Sequence, residues 1–426
     1  MKHAARWTLV VVLSLVAIAA VLVGAALHLV PDDEELAALI AAAAEKNLGV
    51  RVTVGAAHLQ LWPYPAFVLA DIATVQPQPI SVKRAIARPR LRELLRGTLS
   101  FEKAEIDGAV IAQSSLRALH FNPAAPRASV PFPLEHLHVR RLTWITRHGK
   151  ELEFEGSAVF AAGWQPREAE VIRPGVEPAS RLTLARQDAD HWHVQVQLGG
   201  GTADGKVGLS RGKDGRLRLS GQLEPRNIEV ASALDAFKAR SAVRGKASGK
   251  TQLSASGENV AELAATLLTR TTFSMAPATL LHIDVNKAIG SIGKEYAGQT
   301  SLRTLTGQMD TQNSPEGMVV RYTGIQAQGE SFTATGEGTV ANQRIDGELT
   351  VDVAGGLVGV PLKVSGPLGR ARVSVPMTAV AGQAAGAAVG TAVLPGIGTA
   401  IGAGVGRAID RMMGGNAERK NGNEAR

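Results

Sequence analysis

His191-Trp192-His193-Val194-Gln195-Val196-Gln197-Leu198 is the stretch on which the fold turns. Trp192, Val194, Val196 and Leu198 fall at every second position, with polar side chains at the positions between. Successive side chains of a strand point to opposite faces, so this octapeptide has one dry face and one wet face. That is the signature of antiparallel sheet solvated on one side, not of a parallel sheet buried on both. The same period recurs outward in both directions. Leu217, Leu219 and Leu223 alternate with Arg218, Ser220 and Gln222, and Leu152, Phe154, Ala158 and Phe160 alternate with Glu153, Glu155, Ser157 and Val159. Further on, Ile345, Leu349, Val351 and Val353 alternate with Asp346, Glu348, Thr350 and Asp352. Turn chemistry separates the runs at Arg147-His148-Gly149-Lys150, Gly199-Gly200-Gly201, Lys213-Asp214-Gly215, Ser314-Pro315-Glu316-Gly317 and Asn342-Gln343.

Helical spacing interrupts this pattern in a few places. Leu36, Leu39, Ile40 and Ala43 predict a helix over 34–47, with Gly49 as its stop. Short helices are expected over 228–240 (Val230, Ala233, Leu234, Phe237), 259–268 (Leu263, Leu267, Leu268) and 283–296 (Val285, Ile289, Ile292). Residues 171–178 carry Pro and Gly and read as a loop. No flexible linker divides the chain between 32 and 375, which therefore reads as one β domain.

The two ends differ from this body. Residues 7–30 hold no charged side chain. As a helix they would reach about 36 Å, against a hydrocarbon core of about 30 Å. Lys2 and Arg6 precede the run, and Asp32, Asp33, Glu34 and Glu35 follow it. Residues 1–31 thus read as a cytoplasmic end and a retained transmembrane anchor in the inner membrane of a bacterium, with the bulk of the chain in the periplasm. At the other end, residues 376–413 are mostly Ala, Gly and Val. Gly382, Gly386 and Gly390 are four apart, as are Gly398, Gly402 and Gly406, with Leu394-Pro395-Gly396-Ile397 between the triplets. Residues four apart share a helix face, so the segment reads as a Gly-zipper hairpin whose two smooth faces pack on a membrane or a partner. Residues 414–426 read as a charged, disordered tail.

Composition narrows the chemistry. The 426 residues contain no Cys, which excludes disulfides, thiolate metal sites and thiol nucleophiles. The net charge is +8, but the basic residues are scattered, and a membrane-tethered extracytoplasmic chain has no nucleic acid to meet. Anionic lipid head groups are the better functional reading of that charge, beside a plain solvated surface. No Gly-x-Ser-x-Gly, His-Glu-x-x-His or phosphate-cradling loop occurs. His136 with His138, and His191 with His193, each place two imidazoles on one strand face, but no third ligand completes either pair. Asp107, Asp188 and Asp190 read as turn chemistry, and Glu102 and Glu105 as solvated. The chain is expected to be no enzyme and to need no cofactor or metal.

Gly49-Val50-Arg51-Val52-Thr53-Val54-Gly55 followed by Leu59-Gln60-Leu61-Trp62-Pro63-Tyr64-Pro65 resembles the start of the AsmA family, with its anchor, short helix and Pro-bearing strand. The Leu94-Leu95-Arg96-Gly97-Thr98-Leu99 segment is similar too. So are Leu281-His282-Ile283-Asp284-Val285-Asn286-Lys287-Ala288, Leu305-Thr306-Gly307-Gln308-Met309, Gly336-Glu337-Gly338-Thr339-Val340 and 360–368 near the C-terminal end of the body. The middle is matched by pattern alone, and the Gly-zipper hairpin departs from the amphipathic C-terminal helix associated with the family. The resemblance implies a mainly β fold: an elongated, curled antiparallel sheet forming an apolar groove, held in the inner membrane and carrying phospholipids toward the outer membrane.

Physical reasoning supplies a motive for such a groove. Two lipid tails of about 30 methylenes together would cost on the order of 24 kcal/mol to expose to water, at roughly 0.8 kcal/mol each. The expected lining is Leu152, Phe154, Trp192, Val194, Val196, Leu198, Leu217, Leu219, Ile345, Leu349, Val351 and Val353. The expected partners are phospholipids, the inner membrane and, through the hairpin, the outer membrane or a protein there or in the periplasm. The competing reading is a structural or assembly factor for outer-membrane proteins, its dry faces packed on one another.

Overall fold

The computed structural model describes residues 33–375 except 49, 61, 63, 95–99, 119–132, 147, 162–164, 259, 292, 315–316, 354–356 and 369. The expected anchor, Gly-zipper hairpin and tail all lie outside the described residues. Among those described, no helix is long and apolar enough to cross a membrane.

The described chain is mainly β, with 21 strands in one hydrogen-bonded sheet. Within the span read above as a single domain, it gathers into two compact units. The first comprises the described residues up to 228, with 232–239 and 250–268. It begins with helix α1 (Asp33–Leu48) and continues through β1 (Val52–Gln60), β2 (Ala66–Thr74), β3 (Ser81–Pro89), the short helix α2 (Leu91–Leu94) and β4 (Phe101–Ala112). After a 3-10 turn at Gln113–Ala118 come β5 (Leu134–Ile145), β6 (Glu151–Ala161), β7 (Gln165–Arg173), β8 (Ser180–Arg186), β9 (His191–Leu198), β10 (Gly201–Arg211) and β11 (Leu217–Arg226). A two-residue β12 (Ile228–Glu229), helix α3 (Val230–Asp235), the long β13 (Val243–Gly257) and helix α4 (Val260–Ala265) follow. The second unit comprises 229–231, 240–249 and the described residues from 269 on. It holds the first half of β13, nearly all of β14 (Leu268–Leu280), helix α5 (Val285–Gly290), β15 (Thr300–Leu302), β16 (Thr304–Ser314), β17 (Gly317–Gln328), β18 (Phe332–Ala341), β19 (Arg344–Val353), β20 (Leu357–Pro367) and β21 (Arg372–Ser374).

The sheet is a meander in which a strand mostly pairs with its successor, antiparallel as alternation predicts. One pair corrects that expectation. β4 and β5 are parallel, with Phe101 opposite Leu134 and Ile111 opposite Trp144. Parallel neighbours need a crossover of a dozen or more residues, and 113–133 supplies it. Nothing in the alternation of either strand signals direction, because both directions place side chains with the same period.

Turn chemistry acts where it was read. Asn342 (φ 49°) and Gln343 (φ 61°) both adopt the left-handed conformation that a tight two-residue hairpin demands. Gly199 (φ 54°) and Gly200 (φ 71°) do the same between β9 and β10. The loop expected over 171–178 starts late: Val171, Ile172 and Arg173 still belong to β7. The expected helices over 228–240, 259–268 and 283–296 are shorter than their apolar patterns, each cut down to six residues.

What covers the dry face is helix as well as strand. Leu36, Ile40 and Ala44, four apart on α1, are all buried in the first cluster of the sheet, and each large aliphatic side chain so buried contributes roughly 1.5–3 kcal/mol. Ala233, Ala236 and Phe237 lie within and just after α3, the two alanines buried and Phe237 packed on that same cluster. On the β10–β11 ladder, Gly205 stands opposite Leu223, and a β-carbon at Gly205 would overlap the carbonyl oxygen of Gln222. Gly205→Val should therefore loosen β9–β11, by about 1–3 kcal/mol. Hydrogen exchange of peptides from 191–226 should speed up accordingly, while Gly290→Ala, where an added methyl meets nothing within 4 Å, leaves its own peptides unchanged. Equal protection in wild type and Gly205→Val would refute the close-approach reading.

Candidate functional site

The dry face of β8–β13 in the first unit carries the most accessible part of the expected lining. Its register aligns Leu182 with Val196 and Leu184 with Val194 across β8 and β9. Leu209 faces Leu219 across β10 and β11, and Leu219 faces Ala255 on β13. Val194, Val207, Leu223, Leu253 and Ala255 form a buried floor, closed at one end by Leu263 of α4 and by Leu267. Around it Leu182, Leu184, Val196, Leu209, Leu217 and Leu219 are only half-buried. Four of the expected residues, Val194, Val196, Leu217 and Leu219, thus come together here. Leu198 is half-buried at the end of β9. Leu182, Leu184 and Leu209 were missed. Leu182 and Leu184 do alternate with Arg181, Thr183 and Ala185, and Leu209 follows Val207 at the same two-residue period, signals visible in the sequence.

Elsewhere in the first unit the face is sealed. Leu152 and Phe154 are 2% and 3% exposed, covered by the protein's own side chains. Trp192 is also buried, its Nε1 donating to the carbonyl oxygen of Pro166 at 3.0 Å and its ring 5.8 Å from the guanidinium carbon of Arg186. An acyl chain could reach these three only by displacing packed side chains, so they line a closed core and no open groove. Arg173, taken for part of a loop, is a buried cation at the end of β7. It donates to the carbonyl oxygens of Ala236 and, at 3.2 Å, Glu153, and lies 5.7 Å from the Phe154 ring centre. Desolvation lowers its pKa, with Glu153 opposing. Arg173 thereby ties the residues just after α3 onto the sheet.

In the second unit Val351 is fully buried, while Ile345, Leu349, Val353 and Val360 are half-buried against the same cluster. Val285 and Ala288 of α5 are buried beneath them, so here too a short helix occupies part of the dry face. Of the twelve residues expected to line a groove, five (Leu152, Phe154, Trp192, Val194 and Val351) are closed off and seven keep accessible surface. The glycines expected to form the packing face of the hairpin (Gly382, Gly386, Gly390, Gly398, Gly402, Gly406) lie outside the described residues.

The wet face of β3–β5 is a ladder of charge. Arg88 faces Lys103, and Lys103 faces His136; one row on, Ile86, Glu105 and His138 align. Glu105 is not merely solvated: Lys103 Nζ lies 2.8 Å from its Oε1, and Arg88 3.7 Å. The hydrogen bond from Lys103 is the largest cause of its lowered pKa. His138 is shifted down mainly by desolvation, then by the Lys103 charge. Asp107 holds Arg141, which takes a positive φ of 50° at an irregularity of β5. Asp188 acts as turn chemistry predicts, accepting from the backbone N–H of Asp190 and of His191 at 3.0 Å each, and its Oδ1 lies 2.8 Å from His191 Nδ1. Such exposed pairs are screened by solvent and do not hold the fold. Among the described residues, no three His, Asp or Glu side chains converge as metal ligands.

No known protein family, curated protein or solved structure matches this chain.

The depressed His138 pKa has a pH consequence. Its folded-state pKa lies below the unfolded value near 6.5, so the unfolded chain binds more protons just beneath that pH. Stability from this group is present above about pH 6.5 and is lost as pH falls toward the folded pKa. In the same sense Glu105 gives up its contribution only lower, below about pH 4.3. Urea unfolding followed between pH 7.5 and 5.5 should show a falling midpoint in wild type and a flatter one in His138→Gln; parallel curves would refute the assignment.

Proposed function

We propose that this chain is a non-enzymatic, AsmA-like carrier that holds phospholipid acyl chains against its half-buried aliphatic rows and moves them from the inner toward the outer membrane. One observation carries the reading. Leu182, Val196, Leu209, Leu217 and Leu219 in the first unit, and Ile345, Leu349 and Val353 in the second, keep apolar surface on the dry side of a long sheet. Each buried methylene of a lipid tail is worth about 0.8 kcal/mol, so a run of such residues substitutes for the bilayer step by step. The carrier in this reading is an apolar sheet face narrowed by its own helices, with acyl chains confined to the stretches the helices leave uncovered.

A membrane-facing end fits the same reading. Trp62 is 86% and Tyr64 66% exposed at the tip between β1 and β2, with the Arg88 guanidinium 6.0 Å from the Tyr64 ring. Trp and Tyr favour the membrane–water interface.

Photo-crosslinking tests the carrier reading. A probe at Val196 or Leu349 in the membrane-embedded full chain should capture phospholipid, while probes at sealed Phe154 and at Ser220 on the opposite face should not. Equal labelling at all four positions, or none at any, would sink it. The second reading, a structural or assembly factor, draws support from the five sealed residues and expects no labelling at Val196 and Leu349. For the membrane tip, Trp62→Ala with Tyr64→Ala should blunt quenching by bromolipids of fluorescence from a reporter at residue 65; undiminished quenching counts against an interfacial tip.

A further inference from the structure

The second unit holds a cleft that no part of the lipid-tail argument uses. It lies where β20 ends and β19 and β21 begin, with a volume of about 730 Å³, inside the roughly 300–1,000 Å³ typical of small-molecule sites. Arg344, Arg370 and Arg372 line it together with His282 and Tyr296. Local structure gathers them. Arg344 starts β19 opposite Pro367, and Arg372 starts β21 opposite Ser365, so the two flank β20. Arg370 sits in the turn between β20 and β21, its backbone N–H donating to the carbonyl oxygen of Pro367 at 2.9 Å. A second backbone bond, from Leu368 to the carbonyl oxygen of Gln343, pins that turn to the β18–β19 hairpin. His282 reaches the rim with a positive φ of 67°, a conformation uncommon outside glycine. The Tyr296 carbonyl accepts from the Asp284 backbone N–H at 2.8 Å, which fixes the wall to which both residues belong.

Among the described residues no carboxylate pairs with this concentration of charge. The three guanidinium groups make no side-chain hydrogen bond or ion pair among the described residues. The nearby carboxylates are engaged elsewhere: Asp346, the register partner of Ser365, lies 4.0 Å from Lys363, and Asp284 accepts from the Lys287 backbone N–H as the cap of α5. A planar guanidinium offers paired N–H donors that match two oxygens of a phosphate, and three of them around one concavity favour a polyoxygen anion over a single carboxylate. Tyr296 and His282 add a hydroxyl and an imidazole to the lining.

We propose that this cleft binds a phosphate ester, held by Arg344, Arg370 and Arg372. The proposal stands apart from the carrier reading, since it concerns a polar group in the second unit and not acyl chains. The phosphate belongs either to a free phosphoester or to a lipid head group.

Calorimetric titration of the detergent-solubilised full chain with sn-glycerol 3-phosphate, short-chain phosphatidylglycerol and short-chain phosphatidylcholine separates the outcomes. Binding of either anionic probe, weakened about tenfold or more in Arg370→Gln/Arg372→Gln but unchanged in Arg321→Gln, supports the site. Comparable affinity for the two anionic probes assigns it to a free phosphoester, and much tighter binding of the lipid assigns it to a head group. Raising the ionic strength from roughly 0.05 to 0.3 M should weaken binding further, as exposed charges are screened. Arg344→Lys, which keeps the charge but not the fork, should lose part of the affinity with an unchanged circular dichroism spectrum. Absence of binding by both anionic probes, phosphatidylcholine binding as tight as phosphatidylglycerol and persisting in the double variant, or anionic-probe affinity untouched in that variant would overturn it, whatever crosslinking at Val196 shows.

Discussion

A sheet with a single dry face must hide that face, and this chain never supplies a second sheet among its described residues to do so. The structure depends on how that requirement is met. In places it is met by the strand side chains themselves, as with Phe154 and Leu137. In others helices descend onto it: α1 with Leu36 and Ile40, α4 with Leu263, α5 with Val285. Surface ion pairs are numerous but weak, so the fold rests on this burial and on the backbone ladder.

The wet face was as legible as the dry one wherever alternation was strict. Val194, Leu223 and Val351 were readable as buried because each sits in a clean two-residue period. What alternation leaves open is how deeply a dry position is covered. Val194 and Val196 look alike in sequence, yet one is sealed and the other half-buried, because cover comes from elements remote in the chain. Arg173 was invisible for a related reason: a charge next to Pro and Gly reads as a loop, and the carbonyl oxygens that make its burial tolerable belong to Ala236, 63 residues away, and Glu153. The arginine cleft escaped notice because its residues are scattered between 282 and 372, and no local motif joins them.

Partial covering reshapes what an apolar face can do. An uninterrupted trough treats every methylene alike, whereas a face broken by helices has separate apolar stretches of limited length. Ligands with flexible tails suit such a face better than rigid ones, since they can bend between stretches. The half-buried rows around Val196 and around Leu349 belong to different units, and each has its own floor of buried residues.

The parallel β4–β5 pair has an effect beyond its two strands. Each antiparallel step sends the next turn to the other rim of a sheet, but the 113–133 crossover sends the chain back to start β5 at the rim where β4 began. Every later turn of the first unit changes sides as a result. The 146–150, 174–179 and 199–200 turns fall on the rim opposite Trp62 and Tyr64, where Lys150 finds the carbonyl oxygen of Lys238. Had β5 run the other way, those turns and the α3 segment would fall on the rim of the aromatic tip. A single reversal of parity thus decides that the 187–190 and 212–216 turns share that rim instead.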